Sequence, residues 1–276
     1  MCGIFGVSGS TPAVPLIAAG LKKLEYRGYD SSGIAVNGEK GIWLCKSAGS
    51  LSRLEKKLNQ SAPPLSSVGI GHTRWATHGK ATDLNAHPFL SADGMFAVAH
   101  NGIIENYTGL KAFLSEKGFS FVSDTDSEVV PMLLEYFYDG DVLKAIRRAV
   151  SELEGAFSLA IITSRAPDCV FAARKDSSLA IGFGKGCSFV SSDIPAISGF
   201  AEQCCIPDEN SVAVLRKGEI KLFDRQGNRT APSFKTTGEC GGDAEKGDFP
   251  FFMLKEIFSQ PRCLTLSLIH ISEPTR

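Results

Sequence analysis

At 276 residues the chain can bury a substantial core, as one large domain or two small ones. Its 29 Lys and Arg against 30 Asp and Glu leave a formal net charge of −1, which excludes the strong field that nucleic acid or an anionic membrane selects. No apolar run reaches the roughly 18 residues that span a bilayer, and no basic-then-apolar leader is present, so neither a membrane span nor secretion is expected. Eight cysteines with no C-x-x-C and no regular spacing read as reduced thiols, hence a cytoplasmic protein.

In chain order, residues 2–8 read as an apolar strand. Val14, Ile17, Leu21 and Leu24 recur at helical spacing, and Gly28 is placed to end that helix. Strands are expected at 33–36 and 41–45, a charged helix at 51–60, and strands at 68–75 and 95–100. Leu110, Phe113 and Leu114 mark a helix stopped by Gly118. A second helix is expected from Thr125, where Thr125-x-x-Glu128 fits a capping box, and a third over about 141–153. From Ala156 to Asp224 the pattern is strand-rich. Strands, helices and strands again do not alternate as a parallel α/β sheet requires, and point to an α+β layered sandwich of antiparallel sheets. Residues 225–248, polar and glycine-containing, read as a linker, followed by an apolar stretch Phe249–Phe258 ended by Pro261.

Four segments carry candidate chemistry. Cys2 becomes a combined thiol nucleophile and α-amine base if Met1 is removed, because an α-amine titrates near pH 8; alternatively it is a small core residue. In His72-Thr73-Arg74-Trp75-Ala76-Thr77-His78-Gly79, Arg74 could clamp a carboxylate or make a surface ion pair. Asn101 and Gly102 supply the donor types of an oxyanion hole, but Asn-Gly is also a turn dipeptide. The acidic run Ser123-Asp124-Thr125-Asp126-Ser127-Glu128 could cap a helix or hold an ammonium group. His72, His78, His87 and His100 raise the question of a metal, but they lack metal-ligand spacing and no metal is expected.

Taken together, these segments resemble a known family. Cys2-Gly3-Ile4-Phe5-Gly6, Leu24-Glu25-Tyr26-Arg27-Gly28-Tyr29-Asp30-Ser31-Ser32-Gly33, the segment from His72 to Gly79, Asn85-Ala86-His87-Pro88, His100-Asn101-Gly102-Ile103-Ile104-Glu105-Asn106 and the acidic run occur in the order of the N-terminal glutaminase domain of the glutamine–fructose-6-phosphate aminotransferases. Those are class II glutamine amidotransferases, N-terminal-nucleophile hydrolases with a four-layer α-β-β-α sandwich. The resemblance covers about residues 2–261. It implies Cys2 as nucleophile, its own amine as base, and Asn101 and Gly102 as the oxyanion hole. It further implies Arg74, helped by Thr77, on the glutamine α-carboxylate, Asp126 on its ammonium, and Trp75 and His78 lining the pocket. No cofactor is implied, and the family is homo-oligomeric.

The resemblance also sets expectations for the ends. A domain over 2–224 is expected, with 225–261 leading towards a sugar-phosphate isomerase half that the sequence lacks. Fructose 6-phosphate would bind only through that half, so the chain as written is expected to release ammonia without making glucosamine 6-phosphate. Residues 262–276 match nothing in the family and read as a non-native tail. A glutaminase serving another acceptor, or a silent regulatory domain, remain as alternatives.

Overall fold

The computed structural model describes residues 2–76, 79–237, 248–250 and 252–272. The chain divides into two compact units, Met1–Gly242 and Asp243–Arg276. The first opens with strand β1 (Gly3–Ser8), helix α1 (Ala13–Lys23) and a 3-10 turn (Glu25–Arg27). Next come the hairpin β2 (Ser31–Gly38) and β3 (Gly41–Ala48), helix α2 (Leu51–Ser61), and strands β4 (Val68–Arg74), β5 (Phe89–Leu90) and β6 (Phe96–Gly102). Three helices follow, α3 (Tyr107–Glu116), α4 (Val129–Phe137) and α5 (Val142–Glu152). The remainder is β7 (Phe157–Thr163), β8 (Cys169–Lys175), β9 (Ala180–Gly184), β10 (Cys187–Ser191), α6 (Ile194–Ile197), β11 (Gln203–Cys205), β12 (Val212–Arg216), β13 (Glu219–Phe223), β14 (Arg229–Thr230) and β15 (Lys235–Thr236).

These strands build two antiparallel sheets, one in the order β15-β11-β9-β10-β1-β4-β2-β3 and one in the order β14-β13-β12-β8-β7-β6-β5. Three cores separate the layers. Phe5, Ile17, Leu21, Ile34, Leu54 and Phe189 join α1 and α2 to the first sheet. Ile4, Ile70, Ala97, Ala160, Ala172 and Val190 lie between the sheets. Val98, Leu133, Leu134, Ile146, Val150 and Leu159 join α4 and α5 to the second sheet. Neighbours Ile4 and Phe5 thus serve opposite faces of one strand, as the period of two demands. Because both faces of each sheet are covered, the central strands read as continuous apolar runs rather than alternating ones. This is the expected α-β-β-α sandwich.

Several elements differ from the sequence expectation. Helix α4 starts at Val129, four residues after Thr125. The Glu128 carboxylate reaches back to the N–H groups of Val122 and Ser123 and to the Ser123 hydroxyl, so it ties the acidic run into a compact loop instead of a capping box. The described part of 225–248 is not simple linker, because β14 pairs with β13 and β15 with β11 at the sheet edges. In the second unit Pro261 does not end the apolar stretch, since α7 (Phe252–Ser272) runs through it. Pro261 forgoes one backbone bond there, and the hydroxyl of Thr265 donates to its carbonyl. Phe249 stacks on Phe258 within that unit. No helix among the described residues is long and apolar enough to cross a membrane.

Candidate functional site

Cys2 precedes β1, the strand that sits between β10 and β4 near the middle of its sheet. Antiparallel pairing sets Gly3 opposite Thr73, so the start of β1 lies beside the end of β4. There the Trp75 backbone N–H donates to Cys2 Sγ at 3.3 Å, and Sγ lies 3.5 Å from the Trp75 carbonyl. Burial pushes the Cys2 thiol up, while the Trp75 bond and the Arg74 charge pull it back. The thiol therefore stays protonated near neutral pH and needs a base to become a nucleophile.

The second sheet supplies Asn101 and Gly102. Both belong to β6, opposite Ser158 and Phe157 of β7, so Asn-Gly is the end of a strand and not a turn. Asn101 Nδ2 donates to the Cys2 carbonyl across the gap between the sheets at 3.0 Å. Gly102 holds φ +116°, and a Cβ there would overlap the Ala156 carbonyl oxygen. Only glycine fits.

Arg74, the last residue of β4, is buried and donates to the carbonyls of Lys80 and Gly79, each at 3.2 Å. Asp126 is buried in the loop before α4. Its carboxylate accepts from the Ile104 N–H at 2.8 Å and from the Ser127 hydroxyl at 3.3 Å. Trp75 is 43% exposed, its ring edge-on to Tyr29. Cys2, Arg74, Trp75, Gly102 and Asp126 line one narrow cleft, and Asn101 borders it through its bond to Cys2. The anticipated Thr77 and His78 lie outside the described residues. Two roomier hollows, one bordered by Arg147 and Lys175 and one by Arg174 and Ile206, contain neither cysteine nor histidine.

The cleft also contains residues that the sequence reading did not name as catalytic or substrate-binding. His87, His100, Thr125 and Ser127 line it. Asp30 holds the segment after β4, with its N–H donating to the Arg74 carbonyl at 3.1 Å and its carboxylate accepting the Ala76 N–H. Gly28 presses on the same segment, where a Cβ would lie 2.6 Å from the Arg74 carbonyl carbon. Arg27 pairs with Asp193 at 3.2 Å, and the Tyr26 hydroxyl bonds the same carboxylate. The next-door Ser192 hydroxyl accepts from Ile4 N–H at 3.0 Å, which anchors the start of β1. The signal for these was the long Tyr26–Gly33 wording; nothing in it said which atoms would be touched.

Three buried imidazoles cluster at the cleft, His87 and His100 in its lining and His72 behind them. His72 and His87 stack with centroids 4.2 Å apart, and His100 Nδ1 meets the Ser127 hydroxyl at 2.7 Å. Burial holds His72 down to about 3 against the opposing pull of its Asn101 bond. It likewise lowers His100 to about 4, opposed by the Asp126 charge, and carries His87 well below its ordinary value. All three are neutral at pH 7. Among the described residues no group of three or more His, Cys, Asp or Glu is disposed to hold a metal ion.

Comparison with known proteins gives this constellation a context. A family described as "Glutamine amidotransferase domain" matches residues 72–199. The glutamine–fructose-6-phosphate aminotransferase [isomerizing] of Clostridium tetani is 43% identical over 264 residues, 96% of this chain and 43% of that protein. The protein of the same name from Symbiobacterium thermophilum is 45% identical over the same shares. The chain thus spans less than half the length of these curated relatives. Among solved structures, the B. subtilis glutamine phosphoribosylpyrophosphate amidotransferase, complexed with ADP and GMP, superposes with TM-score 0.71 at 24% identity, covering 83% of this chain and 50% of that one. A structure titled as the allosteric regulatory enzyme of purine biosynthesis gives TM-score 0.72 at 25% identity, covering 82% and 50%. With two antiparallel sheets between helices, the chain carries a glutamine amidotransferase domain and is similar, along nearly its whole length, to part of the glutamine–fructose-6-phosphate aminotransferases.

Proposed function

We propose that this domain hydrolyses L-glutamine to glutamate and ammonia through a thioester on Cys2. The observation that carries the reading is the convergence of Cys2, Arg74, Gly102 and Asp126 on one cleft, with the Asn101 amide N–H aimed at Cys2. With Met1 removed, the Cys2 amine takes the thiol proton as Sγ attacks the side-chain amide carbon. Asn101 Nδ2 and the Gly102 N–H receive the charge that develops on the amide oxygen. The intermediate collapses, the ammonium returns the proton to the leaving nitrogen, and ammonia departs. Water then cleaves the thioester, with the amine again as base. Arg74 and Thr77 hold the α-carboxylate, Asp126 the ammonium, and Trp75 and His78 close the pocket.

In the longer relatives the printed name includes the acceptor, fructose 6-phosphate. We assign the ammonia to the same acceptor here, in a cytoplasmic homo-oligomer serving hexosamine synthesis, with residues 225–261 leading towards the isomerase half. Intact-mass measurement before and after a diazo-ketone glutamine analogue tests the core of this reading. A mass lacking methionine and a single adduct on Cys2 are expected. Retained Met1 with no adduct would overturn it in favour of a silent domain.

A further inference from the structure

The backbone decides where the proton on His72 sits. His72 Nε2 lies 3.0 Å from the His100 carbonyl oxygen and 2.9 Å from Asn101 Oδ1. A backbone carbonyl only accepts, so Nε2 carries the hydrogen and donates towards both oxygens. The ring is fully buried, and among the described residues Nδ1 has no hydrogen-bond partner. A second proton on Nδ1 would find no acceptor. Ring orientation is set from the side, because His72 stacks on His87 at 18° and His87 Nδ1 accepts from the His100 N–H at 3.2 Å.

That proton has a consequence for Asn101. An asparagine amide turned by 180° exchanges donor for acceptor. As it stands, Oδ1 faces His72 and Nδ2 faces the Cys2 carbonyl. Turned over, the NH₂ would meet the Nε2–H of His72 and the oxygen would meet the Cys2 carbonyl, one buried and one part-buried mismatch at once. His72 itself does not line the cleft, so whatever it does for chemistry passes through Asn101.

We propose that His72 is a positioning residue: its Nε2–H, locked in place by the His100 carbonyl, keeps the Asn101 amide turned with its NH₂ towards Cys2, ready for the amide oxygen of glutamine. This rests on reading Asn101 as an oxyanion donor. Burial keeps the ring neutral at and well below neutral pH, so protonation of His72 does not disturb the orientation there.

The full chain tests this through H72L, H72Q and H72N, with H72L also placed in an N101A background. Glutamate release, melting temperature and capture of Cys2 by the diazo-ketone analogue are measured. H72L should lower kcat about 10–100-fold with KM within about threefold, yet change kcat less than about twofold once Asn101 is gone. H72Q, whose amide nitrogen reaches the Nε2 position, should recover most of the rate; H72N, which reaches only the Nδ1 position, should not. Equal losses in both backgrounds, or H72Q no better than H72N, would overturn the role. If H72L does not fold, the H72Q and H72N comparison decides alone. Wild-type chain that neither releases glutamate nor is captured would sink the glutaminase reading and this proposal with it. An active wild type with additive variants sinks only the proposal.

Discussion

Asn101 lies in the second sheet and Cys2 stands immediately before β1 of the first, and the hydrogen bond between them runs from the Asn101 amide to the Cys2 carbonyl at 3.0 Å. The two sheets are thereby tied at the mouth of the cleft. In the proposed reaction the same NH₂ serves the oxyanion.

Replacing Asn101 with Ala removes that donor without removing the thiol. The kcat for glutamine hydrolysis should fall about 10²–10³-fold, while the diazo-ketone analogue still labels Cys2. Steady-state glutamate release measures the first and intact mass the second. A change below about threefold would argue against an oxyanion role for Asn101.

Gly102 to Ala should damage the fold as well as the site. The φ of +116° and the overlap with the Ala156 carbonyl oppose any side chain. Backbone strain of this kind costs about 1–3 kcal/mol, and each kcal/mol lowers the melting temperature by about 2–4 °C in a domain of this size. Differential scanning calorimetry should record that drop; an unchanged melting temperature would contradict the geometry.

Arg74 to Lys keeps the charge and loses the planar fork. If Arg74 clamps the α-carboxylate in two places, KM for glutamine should rise about 10–100-fold with a smaller effect on kcat. The bonds to Lys80 and Gly79 would also weaken, so circular dichroism should accompany the kinetics. An unaltered KM would remove Arg74 from substrate binding.

The buried histidines make stability depend on pH with a definite sign. His72, His87 and His100 all titrate below their ordinary value because burial disfavours the charged form. The unfolded chain protonates them near pH 6.5, so it binds more protons than the folded chain below that pH. Their contribution is complete above about pH 6.5 and is lost as the pH falls towards the folded values of about 3 and about 4 for His72 and His100. Each histidine should cost about 1.4 kcal/mol of stability per pH unit within that window. Thermal melts between pH 7.5 and 5 should show a steep fall beginning near 6.5, and a flat curve would speak against three buried neutral rings.

The sequence alone determined the elements long enough to show a period: β1, α1, α2, β4 and α5 lie near their expected positions, and β7, β8, β9 and β10 fall within the stretch read as strand-rich. It also marked the chemistry-bearing residues, because Cys2, the segment containing Arg74, Asn101-Gly102 and the acidic run are unusual where they stand. Strands β5, β11, β14 and β15, two or three residues each, are too short to carry a period and exist only because a longer neighbour offers an edge. Likewise, the start of α4 depends on where the Glu128 carboxylate finds its donors. Only the tertiary structure decided that Asp30 would brace the backbone beyond Arg74, that Arg27 would meet Asp193, and that His72 would face Asn101. Those pairings join residues far apart in the chain through single hydrogen bonds, and single directional bonds leave no periodic trace in a sequence. Burial repeats along an element and can be read; the partner of one buried polar atom is fixed only when the sheets close over it.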